Sequence, residues 1–336
     1  MKTAIFGFAG SGKTDLFMAL AGPEIGMNNR AMVKVPEPRL EPLARLFNPQ
    51  KVTQTEIEYL DIPGGGGKGQ GLGARVLNEI RPYDCLLAVL DGFSGVNDPS
   101  EQWQAIEMDL IISDLAVVEK KLERIAMDKK KAKHLVDPKE EELLVKVREL
   151  LESEQPVRKE PSLAQAHELR GFCFLSAKPI LYAWNVSEDN IGQVKFPEEE
   201  TGQVHLTVSA KLEREMRELT DPEELQMFMD DLGIKESALD RVISKTYHLL
   251  GLITFLTAGE KEVRAWPLKK GATAPEAAGV IHSDLQKGFI RAEVLSWDDF
   301  LTYQDFKKAK EQGALRLEGK DYIVQDGDII TFRFNV

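Results

Sequence analysis

Cysteine, histidine and long apolar runs are all scarce in this chain of 336 residues. The two cysteines, Cys85 and Cys173, form no C-x-x-C pair, and Cys85 falls in an apolar strand pattern. A disulfide framework is thereby excluded and a reducing, cytoplasmic setting is expected. The five histidines (134, 167, 205, 248 and 282) are scattered without metal-ligand spacing, so structural or surface roles are expected. No apolar run reaches the ~18 residues of a spanning helix, and the start of the chain (one lysine, then a strand and a glycine-rich loop) is unlike a signal peptide. Net positive charge is also missing. The formal charge of −12 argues against indiscriminate nucleic-acid binding and leaves only local basic patches. Finally, Asp15 to Val52 contains neither serine nor threonine.

What is present starts at residue 7. Gly7-Phe8-Ala9-Gly10-Ser11-Gly12-Lys13-Thr14 reads G-x-x-x-x-G-K-T between the apolar stretch Ala4-Ile5-Phe6 and the helical pattern Leu16–Leu20. A loop from a buried strand into a helix turns its backbone N–H groups inward and forms an anion cradle. Gly10, Ser11, Gly12, Lys13, Thr14 and Asp15 are the nucleotide-binding candidates of such a cradle. Lys13 reaches the β/γ-phosphates as the catalytic cation, and the Thr14 hydroxyl sits on Mg²⁺.

Ile57–Leu60, Cys85–Leu90, Ile180–Trp184 and Val204–Val208 read as further strands, and the second is apolar throughout, as in a strand covered on both faces. Strands alternating with helices predict a mostly parallel α/β sheet with ligand loops at the strand C-termini. The ends of the first, third and fourth carry chemistry. Asp61-Ile62-Pro63-Gly64 gives a second metal carboxylate, Asp61, and a backbone N–H at Gly64 for the γ-phosphate. Seven of the ten residues Gly64–Gly73 are glycine, which suits a segment ordered by γ-phosphate. Gly65 stands where many GTPases carry a water-orienting glutamine. Asn185-Val186-Ser187-Glu188 takes the place of a guanine-reading N-K-x-D, with Glu188 one methylene longer, so adenine is also allowed. Ser209-Ala210-Lys211 follows as the loop flanking the base.

Ile111, Leu115, Val118, Leu122 and Ile125 recur at spacings of 4, 3, 4 and 3, a narrow coiled-coil seam. A second helical pattern follows Pro138, with Leu143, Val147, Leu150 and Leu151 apolar. An antiparallel helical hairpin is predicted, with Lys129, Lys130, Lys131 and Lys133 near its tip as a solvated turn or an RNA or ribosome contact. The last ~85 residues read as a separate α+β unit. It has a hairpin at Leu252–Thr257 and Val263–Trp266, a capping box Thr273-Ala274-Pro275-Glu276, and strands Phe289–Leu295 and Ile329–Phe334. Arg291, Lys307, Lys308 and Lys310 are further basic candidates there. The expected division is therefore 1–100 with 171–250 as nucleotide-binding domain, 101–170 as helical insertion and 251–336 as C-terminal domain.

With these strings in hand, the chain resembles a divergent member of the YchF (Obg-like ATPase) family of Obg-related P-loop GTPase folds (the TRAFAC class). The resemblance runs nearly full length. It is closest in Thr257–Trp266, Gly288–Val294 and Leu317–Asp328. It implies a G domain, a coiled-coil arm, a C-terminal TGS domain of β-grasp fold, use of ATP and/or GTP with Mg²⁺, and ribosome or RNA association. A monomer without membrane attachment is expected. The family's usual Pro-Asn is replaced by Ala9-Gly10, which removes an aid to potassium-assisted hydrolysis. Its first-switch threonine has no counterpart, leaving only Asn28 or Asn29 as substitutes, and Gly65 replaces a usually apolar residue. Two readings stay open: a slow NTPase switch, or a hydrolysis-impaired module that senses nucleotide. A P-loop kinase is a third, disfavoured by the ordered base-recognition strings.

Overall fold

The computed structural model describes all residues except 23–28, 66–70, 97, 132–136, 199, 220, 235 and 336. The chain forms two compact units, Met1–Val33 with Glu58–Leu249, and Lys34–Ile57 with Leu250–Val336. In chain order the first half runs β1 (Lys2–Phe6), α1 (Lys13–Ala21), β2 (Arg30–Lys34), α2 (Leu40–Phe47), β3 (Lys51–Thr53), β4 (Glu56–Asp61), α3 (Gly73–Ile80), β5 (Cys85–Gly92), α4 (Pro99–Lys131) and α5 (Pro138–Glu152). It continues α6 (Pro161–Ala164), β6 (Ile180–Val186), β7 (Gln203–Val208), α7 (Ala210–Glu218), α8 (Pro222–Asp231) and α9 (Ala238–Leu249). The end comprises β8 (Leu252–Ala258), β9 (Glu262–Lys269), α10 (Ala274–Ile281), α11 (Ser283–Lys287), β10 (Phe289–Leu295), α12 (Trp297–Tyr303), α13 (Phe306–Glu311), β11 (Arg316–Glu318) and β12 (Ile329–Phe334).

The first sheet has the order β2-β4-β1-β5-β6-β7. The pairs β1–β4, β1–β5, β5–β6 and β6–β7 are parallel, as alternation with helices predicts. β5 and β6 are buried along almost their whole length, which explains their near-continuous apolar runs. One face of the sheet, with Ala4, Phe6, Leu86, Ala88, Leu90 and Trp184, shares a core with Val76 and Ile80 of α3 and Ile106 and Leu110 of α4. On α9 the buried residues are Val242, Ile243, Thr246 and Tyr247. His205 is structural, as expected. It accepts from Trp184 Nε1 at 3.0 Å, and burial pushes its pKa down to about 4. The registers Ile5↔Asp61 and Asp91↔Asn185↔Val208 align the carboxyl ends of β4, β1, β5, β6 and β7. The sheet extends from β1 to β4 and β2 on one side and to β5, β6 and β7 on the other, and the C-terminal end of β1 opens a crevice.

Of the predicted seam, Ile111, Val118 and Ile125 are buried against Leu144, Val147 and Leu151, while Leu115, Leu122, Leu143 and Leu150 are half-buried around them. Asp137 caps α5 by accepting from Lys139 N–H at 2.9 Å, with Pro138 in the first turn.

The second sheet has the order β11-β10-β12-β8-β9-β3. Its hairpin β8–β9 and the pairs β10–β12 and β10–β11 are antiparallel, while β12–β8 and β3–β9 are parallel. The Thr273–Glu276 capping box starts α10. Its alanines cover one sheet face with Phe255 and Leu268. Sequence reasoning assigned all of 1–100 to the nucleotide-binding domain, but Lys34–Ile57 packs in this second unit. Leu40 and Leu43 of α2 join Leu256, Val263, Leu295 and Ile329 in its other core, and β3 is an edge strand. Arg39 fastens the segment, donating to both Glu37 oxygens at 2.6 and 2.7 Å and to Asp326 at 2.8 Å.

Candidate functional site

The glycine-rich loop leaves β1 at Phe6 and enters α1 at Lys13. Gly10 and Gly12 both have φ of 81°, a backbone state that side chains disfavour. Gly12 is also sterically required, since a Cβ there would lie 2.2 Å from Asn185 Nδ2. Lys13 is buried, with its amine against Gly64, where an added Cβ would stand 2.5 Å from Nζ. This is the D-x-x-G glycine that sequence reasoning placed at the γ-phosphate.

The Thr14 hydroxyl donates to Asp61 Oδ2 at 3.0 Å. Asp61 is 6% exposed, and among the described residues its other oxygen, Oδ1, has no partner, nor has the buried Ser11 hydroxyl. Burial raises the Asp61 pKa, opposed by the Thr14 bond and the Lys13 charge. A carboxylate held at this cost with one oxygen unpartnered fits a hard cation beside a polyphosphate. Among the described residues no cluster of three or more His, Cys, Asp or Glu could hold a metal, so a cation here would rely on phosphate oxygens too.

At the other end of the crevice lies a cavity of about 600 Å³, lined by Asp15, Phe93, Asn185–Asp189, Ser209–Lys211 and Arg214. That is within the usual size of a small-molecule site. Asn185 does not face a ligand alone. Its Nδ2 donates to the Ser11 carbonyl and its Oδ1 accepts from Ala210 N–H, both at 3.0 Å. The side chain thus ties the phosphate loop to the Ser209–Lys211 loop. Lys211 Nζ lies 3.8 Å from Glu188 Oε1, and Arg214 lies 3.5 Å from Asp15. Asp15, Asn185, Val186, Glu188, Ser209, Ala210 and Lys211 therefore meet at the cavity. Gly10, Ser11 and Gly12 belong to the adjoining loop and Lys13 and Thr14 to the first turn of α1, with Gly64 and Asp61 beside Lys13 and Thr14.

Phe93, Asp189 and Arg214 were missed. Phe93 is 46% exposed just beyond β5, on a turn whose N–H groups bond Asp91. A large exposed aromatic at the carboxyl end of a buried strand was the signal to read.

Gly65 has a reason beyond its missing side chain. It forms an isolated parallel bridge with Phe8, and a Cβ there would fall 2.3 Å from the Leu72 carbonyl oxygen. Of the candidates for a first-switch substitute, Asn28 lies outside the described residues. Asn29 contributes its backbone carbonyl, accepting from Asp61 N–H at 3.0 Å. Lys129 is ion-paired with Glu141 at 2.5 Å, and Lys130 is exposed. Lys131 ends α4, and Lys133 lies outside the described residues. No described helix is long and apolar enough to cross a membrane.

A phosphate loop at the end of the central strand and a cavity over the next carboxyl ends define the class, a P-loop α/β protein. The family YchF-GTPase_C, described as a protein of unknown function (DUF933), matches residues 252–335. The chain is 42% identical over 368 residues to the ribosome-binding ATPase YchF of Bacillus subtilis, with all of both chains covered. It is 40% identical over 364 residues to that of Escherichia coli O157:H7, covering all of this chain and 99% of the relative. Among solved structures, the Schizosaccharomyces pombe YchF GTPase superposes with a TM-score of 0.86 at 28% identity, covering 99% of this chain and 97% of that one. The chain belongs to the YchF family.

Proposed function

We propose that this chain is a slow nucleoside triphosphatase, using ATP in preference to GTP or both, whose nucleotide state governs docking on ribosomes. The observation that carries the reading is the Thr14–Asp61 pair with its unpartnered Oδ1 beside Lys13. The relatives named as ribosome-binding ATPases support the substrate and the partner. Gly10–Thr14 and Gly64 bind the phosphates, and Asp15 lies at the cavity that takes the rest of the nucleotide. Asn185, Val186, Glu188, Ser209, Ala210 and Lys211 frame the base, with Phe93 as an apolar wall. Thr14 and Asp61 would hold Mg²⁺, which supplies charge neutralisation at the phosphates when bound. Lys13 and the loop N–H groups stabilise charge on the transferring phosphoryl group. We assign the helical pair α4–α5 as a coiled-coil arm and the C-terminal unit as a TGS domain, in a monomeric cytoplasmic protein. Calorimetric titration with Mg-ATP and Mg-GTP tests the site. Lys13→Ala is expected to abolish binding of both, and unchanged affinity would remove the assignment.

A second reading has its own observation. The absence of serine and threonine from Asp15 to Val52, together with the crowded Gly65, favours a protein that senses nucleotide without hydrolysing it. Phosphate release at the same rate in wild type and Lys13→Ala would select this reading.

A further inference from the structure

Beyond Gly65 the described chain resumes at Gly71 and Leu72, where a side chain from another element holds it. Leu72 N–H donates to Asp109 Oδ2 at 2.6 Å. A Cβ on Gly71 would lie 2.7 Å from each oxygen of the same carboxylate, so Asp109 lies directly against this backbone. Leu72 is 1% exposed, and its carbonyl abuts Gly65, where a Cβ would fall 2.3 Å away. Gly65 is bridged to Phe8 of the phosphate loop, and Gly64 lies against the Lys13 amine. Described atoms therefore run in contact from Asp109 to Lys13. Asp109 belongs to α4, and the far end of α3 is seated on the same helix. There Arg81 donates to Asp114 Oδ1 at 3.0 Å and to Ser113 Oγ at 2.7 Å.

We propose that Asp109 is a positioning residue of the nucleotide site. By fixing the Leu72 peptide it holds Gly65, and through it Gly64, at the place where the terminal phosphate of a nucleoside triphosphate arrives. It thereby sets the preference for triphosphate over diphosphate. This rests on the nucleotide-binding reading above. A bond from a peptide N–H to an ionised carboxylate is stronger than a neutral one, so its loss is felt by the backbone it holds. The plain alternative is a carboxylate that merely caps the start of α3. A cap alone would change melting temperature and leave the preference between nucleotides untouched.

The test compares affinities for Mg-ADP and for the Mg complex of a β,γ-methylene ATP analogue in the full chain. Asp109→Ala is expected to lose about tenfold of the triphosphate preference, with ADP affinity within about twofold of wild type. Asp109→Asn keeps a carbonyl acceptor and is expected to retain most of the preference. Gly71→Ala, which drives a methyl into the carboxylate, is expected to reproduce the loss without altering Asp109. Unchanged preference in Asp109→Ala, or equal losses for both nucleotides, would overturn the proposal. If Asp109→Ala does not fold, unchanged preference in Gly71→Ala overturns it. Amide hydrogen exchange in the nucleotide-free protein separates the two readings. Faster exchange at Leu72 in Asp109→Ala is expected whether or not nucleotide binds, and unchanged exchange overturns the Asp109 role alone. Wild type binding neither nucleotide removes the nucleotide reading and this proposal with it.

Discussion

Asn185 donates from Nδ2 to the Ser11 carbonyl at 3.0 Å, joining the end of β6 to the phosphate loop 174 residues earlier in the chain. The amide also accepts from Ala210 N–H, so one side chain, 5% exposed, spaces the two ends of the crevice. Removing it leaves a buried carbonyl and a buried N–H unpaired. Asn185→Ala is expected to cost about 1–3 kcal/mol of stability and to weaken nucleotide binding by tenfold or more, on the order of 1.4 kcal/mol. Denaturant melts and calorimetry check both, and a loss of stability with full affinity would contradict the spacing role.

A glutamine at position 65 would look like a repair of the missing water-orienting residue. The backbone predicts otherwise, because the new Cβ would meet the Leu72 carbonyl at 2.3 Å. Gly65→Gln is expected to lower stability by about 1–3 kcal/mol and to bring no gain in phosphate release. Faster release in a stopped-flow phosphate assay would show that the loop yields.

Asp61 makes stability depend on pH. Burial raises its folded pKa above the unfolded value, so in that window the native state binds more protons than the unfolded one. Its contribution is therefore fully present below the usual carboxylate pKa and is lost as pH rises through the raised one. Asp61→Asn keeps an acceptor for the Thr14 hydroxyl and removes the buried charge. In the absence of metal and nucleotide it is expected to melt above wild type near neutral pH, the difference shrinking as pH falls below the carboxylate range. Mg²⁺-dependent nucleotide binding is expected to fall in the same variant. Thermal melts against pH measure the first effect, and a lower melting temperature at neutral pH would refute it.

The segment Lys34–Ile57 makes the C-terminal unit discontinuous. A fragment spanning only 250–336 lacks Leu40 and Leu43, each worth about 1.5–3 kcal/mol when buried, and lacks the edge strand β3. It is expected to melt without cooperativity and to bind a hydrophobic dye. A sharp, cooperative melt of that fragment would show that α2 is dispensable.

Most of the first sheet was legible because its signals are local. A continuous apolar run such as Cys85–Leu90, or glycines before Lys13-Thr14, carries its meaning within ten residues. The same is true of the seam from Ile111 to Ile125 and of the Thr273–Glu276 box. The placement of α2 was not legible, because the apolar residues that cover it, Leu256, Val263, Leu295 and Ile329, lie more than 200 positions away. Arg214 escaped for a similar reason, its cavity position depending on how α7 leaves the Ser209–Lys211 loop. The lysine run looked uniform in sequence, yet Lys129 answers Glu141 across the helical pair. Exposed ion pairs contribute little stability, but a paired lysine is less free to meet phosphate.

The central claim is that the site turns over nucleoside triphosphate. Single-turnover phosphate release from Mg-ATP and Mg-GTP, with and without potassium and with Lys13→Ala as the blank, tests it most directly. Slow release above the blank, faster with ATP or equal for both nucleotides, is the predicted result. Release indistinguishable from the blank under every condition would contradict it and leave a protein that reads nucleotide without consuming it.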